Sequence, residues 1–214
     1  MTTIHPLTTP GAVERELPAH RAGAGRAPGA GTTRTGTPET PGQRWARYLA
    51  AATRIGLGWI FLWAFLDKTF ALGHDTGKDA ATGAVDHFGA AAWIHGASPT
   101  EGFLGFAAQG PLSGLYHQLA GNVVVDWLFM LGLLAIGGAL VLGVAMRFAA
   151  CAGALMTVLM WSAVLPPANN PFMDDHLVYA LVLVLLALVH AGHTFGLGRM
   201  WERLPIVRDH AFLQ

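Results

Sequence analysis

Cysteine is almost absent from this chain, which has one, Cys151, in 214 residues. A single thiol rules out an intramolecular disulfide, a CxxC redox pair, a CxxCH haem attachment and a thiolate metal cluster. Charge is scarce as well. Only 12% of the residues are Asp, Glu, Lys or Arg, where a soluble domain has roughly 25%. Acidic and basic residues balance, 13 against 13, and no nucleic-acid partner is expected. No phosphate-binding glycine loop follows a strand, because no stretch reads as a strand. No metal site is expected either: His190 and His193 lie three apart, and two histidines without further ligands make a poor one.

What the chain has is apolar length. Apolar residues make up 53% of it, and four runs approach the 18 to 25 residues, roughly, that cross a bilayer. They extend from about Tyr48 to Leu66, Val123 to Val144, Phe148 to Leu165 and Leu177 to Phe195. Residues 1–44 are rich in Gly, Pro, Thr and Arg and read as a disordered arm. That arm lacks the apolar core of a cleavable signal peptide, so the first run is expected to act as an uncleaved membrane address.

Basic residues set the expected orientation. Arg15, Arg21, Arg26, Arg34, Arg44 and Arg47 precede the first run, Arg147 separates the second and third, and Arg199, Arg203 and Arg208 follow the fourth. Only Lys68 and Lys78 fall in the long 67–122 segment. By the positive-inside rule both termini are cytoplasmic. Small residues at intervals of four, Ala135, Ala139 and Gly143 on one run and Ala149, Gly153 and Thr157 on the next, are expected to let helices approach closely. The fold expected is all-α, an integral membrane antiparallel four-helix bundle over residues 45–200, with a short cytoplasmic tail at 201–214.

The 67–122 loop carries helix-start signals of its own. Ser98, Pro99 and Glu101 have the spacing of a capping box, and Pro111 opens a second short stretch through Tyr116, His117 and Leu119. Both read as interfacial helices over the outer mouth.

The polar residues of the apolar domain gather at one end. Asp67 and Lys68 end the first run, Asp126 opens the second, and "NNPFMDDHLVYALVLVLL" at 169–186 places Asp174, Asp175 and His176 before the fourth. Capping explains part of this: Asn170 suits an N-cap, Pro171 a first helical turn, and Asp174 and Asp175 the positive end of a helix dipole. The alternative is a polar pocket, because ionisable groups at the rim of a span are costly unless they pair or line a cavity. Trp59, Trp63 and Asp67 recur every four residues, as do Asp175 and Tyr179, so each polar group has an aromatic neighbour suited to a ring-shaped ligand. An aromatic belt at the membrane interface is the competing reading for the tryptophans. Arg54, inside the first run, either snorkels to the headgroups or pairs within the helices.

Four stretches carry a family resemblance. "RIGLGWIFLWAFLDKTFALG" at 54–73, "WIHGASPTEGFL" at 93–104, "DWLFMLGLLAIGGALVLG" at 126–143 and "NNPFMDDHLVYALVL" at 169–183 together resemble the DoxX family, in the branch similar to the large membrane subunit of thiosulfate:quinone oxidoreductase. The resemblance implies a bacterial plasma-membrane protein that passes electrons from thiosulfate or another sulfur compound to a quinone, beside a small partner subunit. By that likeness Lys68, Asp126, Asp175 and His176 would carry the catalysis, and Trp63, Asp67 and Tyr179 would hold the quinone. The quinone is then a substrate, and no tightly bound cofactor is expected. Two further functions stay open from the residues: a scaffold that recruits a soluble redox or detoxifying enzyme, and a small transporter or proton pathway.

Overall fold

The computed structural model describes residues 38–168 and 170–213. The expected disordered arm, with Arg15, Arg21, Arg26 and Arg34, lies almost wholly outside them, as does Asn169. Among the described residues every regular element is helical, and the nearest approach to a sheet is one bridge between Lys78 and Val85.

The first helix, α1 (Pro41–Phe70), starts seven residues before the apolar run. Local chemistry sets that start. Thr40 Oγ1 accepts from Gln43 N at 3.3 Å, Gln43 Oε1 accepts from Thr40 N at 2.9 Å, and Pro41 occupies the first turn, where its missing N–H costs nothing. The helix stops at Ala71, which turns left-handed at φ 51°. Next come α2 (Ser113–Leu119), α3 (Val123–Leu142), α4 (Met146–Ala163) and α5 (Asp175–Leu188), then the short α6 (Gly198–Trp201) and α7 (Pro205–Arg208). Asn122 caps α3 by accepting from Val124 N and Val125 N, and Gly143 ends it at φ 71°.

Three of these helices, α1, α3 and α4, are long and apolar enough to cross a membrane. The fourth expected run is shorter than anticipated. Helix α5 has 14 residues, about 21 Å of rise against a hydrocarbon core of roughly 30 Å. It ends early because His190 turns left-handed at φ 50° and the chain bends into a single 3-10 turn at Ala191–His193.

Helix contacts follow small residues, though not all of the expected ones. α1 packs on α3, α3 on α4, and α4 on α5. A Cβ on Gly58 would lie 2.8 Å from Leu140 Cβ and 2.9 Å from Val141 N, while one on Gly137 would lie 2.8 Å from Leu62 N. Glycine is therefore what lets α1 and α3 touch backbone to backbone. On α4, Ala149, Gly153 and Thr157 are buried as expected. On α3 the buried ridge is Met130, Leu133, Ile136, Gly137 and Leu140, whereas Ala135 is exposed. The core joins Leu57 and Phe61 of α1 to this ridge, to Met146 of α4 and to Leu183 and Leu186 of α5. Outside it the helices present large apolar side chains, Leu128 at 72% and Leu181 at 66% exposure among them.

Arg54 is fully buried and pairs inside the protein. Its Nη1 donates to Leu140 O and to Val141 O, the latter at 3.0 Å, and Nη2 donates to Thr194 O at 3.3 Å and Phe195 O at 3.0 Å. A cation thus meets the carbonyl end of α3, the favourable end of its dipole, and ties α1 and α3 to the turn after α5.

Candidate functional site: a recess beyond the end of α1

Two buried carboxylates fix the loops at this end. Asp67, in the last turn of α1, accepts from the backbone N–H groups of His74 at 3.1 Å and of Asp75 and Thr76 at 3.0 Å. Asp126, in the first turn of α3, takes Ser98 Oγ at 2.9 Å, Thr100 Oγ1 at 2.5 Å and Thr100 N at 3.3 Å, all on Oδ1. Ser98 Oγ accepts in turn from Glu101 N at 3.1 Å, half of the expected capping box. The helix it opens is irregular, running into a π turn over Phe103–Ala107.

Between these two loops lies a recess of about 500 Å³. One wall is Lys68, Asp75, Thr76 and Gly77; the other runs from Ala97, Ser98 and Pro99 to Gly102 and Phe103, with Ala91 beside it. Lys68 is the only cation among the lining residues. Its side chain is 17% exposed, and Nζ stands 3.9 Å from Asp75 Oδ2, itself 85% exposed. The recess therefore combines one sheltered ammonium, a solvated carboxylate, two hydroxyls and an apolar face. Asp67 and Asp126 do not line it; each holds the wall that does.

The remaining expected site residues lie elsewhere. Trp63 packs edge-on against the His74 ring with centroids 5.0 Å apart, so it supports the Asp67 turn. His176 Nδ1 is 2.8 Å from Asp174 Oδ2 and 3.5 Å from Asp175 Oδ1 at the start of α5. It is not among the recess-lining residues. Tyr179 is partly buried against the core. The N-cap of α5 is Asp174, accepting from Leu177 N at 3.2 Å, and not Asn170. Asn170 Oδ1 instead takes Phe172 N and Met173 N at 2.9 Å, closing a turn four residues earlier. Asp174, Asp175 and His176 can each offer one ligand atom within 4.8 Å of the others, but capping and the imidazole pair already account for them. His193 Nε2 lies 2.7 Å from Glu202 Oε1, and its ring packs beside that of His190 with centroids 5.6 Å apart.

Sequence patterns gave no sign of Ser98 and Thr100 as partners of Asp126, or of Asp75 as the neighbour of Lys68. The only available signal was a polar helix end facing a Gly- and Thr-rich loop.

No family model matches the chain, and neither does any curated protein or solved structure. The DoxX resemblance rests on the four quoted stretches.

Proposed function

We propose that this chain is a DoxX-like integral protein of the bacterial plasma membrane, an antiparallel four-helix bundle with both termini cytoplasmic, whose outer recess receives the head of a membrane quinone. The observation that carries this is Lys68: a sheltered ammonium at the end of a spanning-length helix, in a largely polar recess whose other wall includes Pro99 and Phe103 and whose volume suits a substituted ring. In this reading Lys68 donates a hydrogen bond to a quinone oxygen. Asp75, in contact with solvent, passes protons inward.

Reduction of the quinone to quinol takes two electrons and two protons. The protons come from outer water through Asp75. The electrons come from a reduced sulfur compound, such as two thiosulfates joining to tetrathionate, oxidised on a partner subunit. A dianion is not favoured in the recess itself, where one lysine faces one aspartate. Asp67 and Asp126 act as positioning residues, and His176 with Asp175 has no part in the recess.

The test is a binding isotherm for a short-chain quinone analogue in lipid nanodiscs. Loss of one charged hydrogen bond corresponds to about 1.5 to 3 kcal/mol, so Lys68→Met is expected to weaken binding by roughly tenfold or more. An isotherm unchanged in that variant removes the reading.

One observation favours the scaffold alternative. Phe106 and Phe88, on the same loops, are 82% and 57% exposed, as expected of a surface that docks a soluble redox enzyme. A protein that stays alone after mild cross-linking in native membranes counts against it. The transporter reading has less behind it, since Leu57, Phe61, Met130, Leu133 and Leu183 pack an apolar core between the helices.

A further inference from the structure

Residues 195–213 are pinned and yet amphipathic. Leu197 N donates to Leu142 O at 2.8 Å, Val207 is fully buried, Trp201 Nε1 donates to Leu213 O at 2.6 Å, and the Phe212 ring meets Phe148 edge-on at 6.0 Å. The segment is thus fastened to the end of α3 and the start of α4. Its other side leaves Met200 65%, Leu204 46% and Ile206 67% exposed. Met200 and Leu204 are four apart, as are Arg199 and Arg203, and both arginines are exposed with no partner among the described residues.

We propose that residues 195–210 form an in-plane anchor that recognises the anionic phospholipids of the leaflet at the α3–α4 turn. Met200, Leu204 and Ile206 enter the acyl boundary, and Arg199 and Arg203 meet headgroup phosphates. The inference rests on the membrane reading above and is independent of the quinone site.

Continuity argues for lipid as the occupant. The helix ends beside this segment carry exposed Leu142 and Leu188, at 50% and 71%, so the apolar medium that covers them reaches residues 197–206 as well. Tyr48 of α1 stacks on Phe195 at 5.4 Å, with Trp45 exposed beside it. These rings form the aromatic rim typical of a membrane surface. Charge points the same way. Arg44, Arg47, Arg147, Arg199, Arg203 and Arg208 lie at this end against three acids, Glu39 beside Arg47, Glu202 beside His193 and Asp209 beside Arg208, so the arginines remain in excess. A net positive, apolar-studded surface complements an anionic leaflet.

The test is amide hydrogen exchange on the full chain in nanodiscs of phosphatidylcholine, with and without about one third phosphatidylglycerol. Each arginine near an anionic surface strengthens association roughly fivefold. Exchange over 197–210 should therefore slow by up to about 25-fold in the anionic discs. The Arg199→Gln/Arg203→Gln variant should lose that difference, while Met200→Ser/Ile206→Ser should exchange faster in both lipids. Exchange in α3 and α4 reports folding and should stay constant. Raising the salt to about 0.5 M should erase the lipid difference, because screening then acts within a few ångströms. Equal exchange over 197–210 in both lipids, or an anionic effect that survives the arginine variant, overturns the proposal. Quinone binding should be unchanged in the arginine variant, so failure here and failure of the recess reading are distinguishable.

Discussion

Asp67 and Asp126 show how one residue type at equivalent places does one job. Each is a nearly buried carboxylate in the terminal turn of a helix, and each spends its lone pairs on a neighbouring loop. Removing Asp67 leaves three backbone N–H groups without their acceptor. Asp67→Ala is expected to lower stability in detergent by about 3 kcal/mol, read as a fall in melting temperature, and Asp67→Asn by less because an oxygen remains. Melting unchanged in Asp67→Ala would mean that the 74–76 turn does not depend on it. Arg54 is a sharper case, since its loss releases carbonyls in α3 and in the turn after α5 together. Arg54→Met should destabilise by about 3 kcal/mol or more, and a variant with native melting would show the clasp to be idle. Asp79 offers a test by pH. Its carboxylate accepts from Thr82 N at 2.7 Å, Thr82 Oγ1 at 2.8 Å and Ala81 N at 3.0 Å, and these bonds, the Thr82 amide first, hold its pKa below the ordinary 3.8. A depressed pKa means that the turn gains order above the ordinary carboxylate value and loses it as pH falls through the lower, folded one. The Thr82 amide resonance should titrate below 3.8; titration above that value contradicts the assignment.

Among the elements, α1 and α3 depend on a glycine contact that volume alone decides. Gly58→Ala places a methyl 2.9 Å from the Val141 backbone nitrogen, which cannot swing aside, whereas Gly138 has nothing within 4 Å. Gly58→Ala should cost about 1 to 3 kcal/mol by overpacking, and Gly138→Ala should leave melting unchanged or raise it. Equal melting of the two variants would refute the close approach. The helices themselves were legible to differing degrees. Helices α3 and α4 fall within two residues of their apolar runs, because Asn122 and Gly143 punctuate the chain where hydropathy changes. Helix α5 stops at Leu188, short of the Phe195 that hydropathy predicts, because Arg54, far away in sequence, holds the chain at 194–195 in a turn. Among the small residues expected to form a ridge on α3, Gly143 sits at a close approach to Gly192 and Ala139 packs against the core, but Ala135 is exposed and α1 meets Gly137 instead. Of the candidate site, the polar helix ends could be found from hydropathy. Their hydrogen bonds could not, because the donors are backbone groups and hydroxyls of loops with no periodicity.

For the molecule as a whole, three spanning-length helices, a wide exposed apolar surface and an uneven distribution of arginine agree with life in a bilayer. The structure also separates the two ends. One is closed by the Arg54 clasp and the segment after α5, and the other opens into the Lys68 recess. If the recess lies on the outer face, a cysteine placed at Asp75 should react with an impermeant maleimide in intact cells, and one placed at Arg203 only after permeabilisation. The reverse pattern would invert the topology. The most direct measurement of the central claim is photolabelling of the protein in nanodiscs with an azidoquinone, followed by peptide mapping. The account predicts label on residues 68–77 and 97–103, suppressed by excess unlabelled quinone and by Lys68→Met. Label confined to the lipid-facing flanks of α3 and α5, insensitive to competitor, would contradict it.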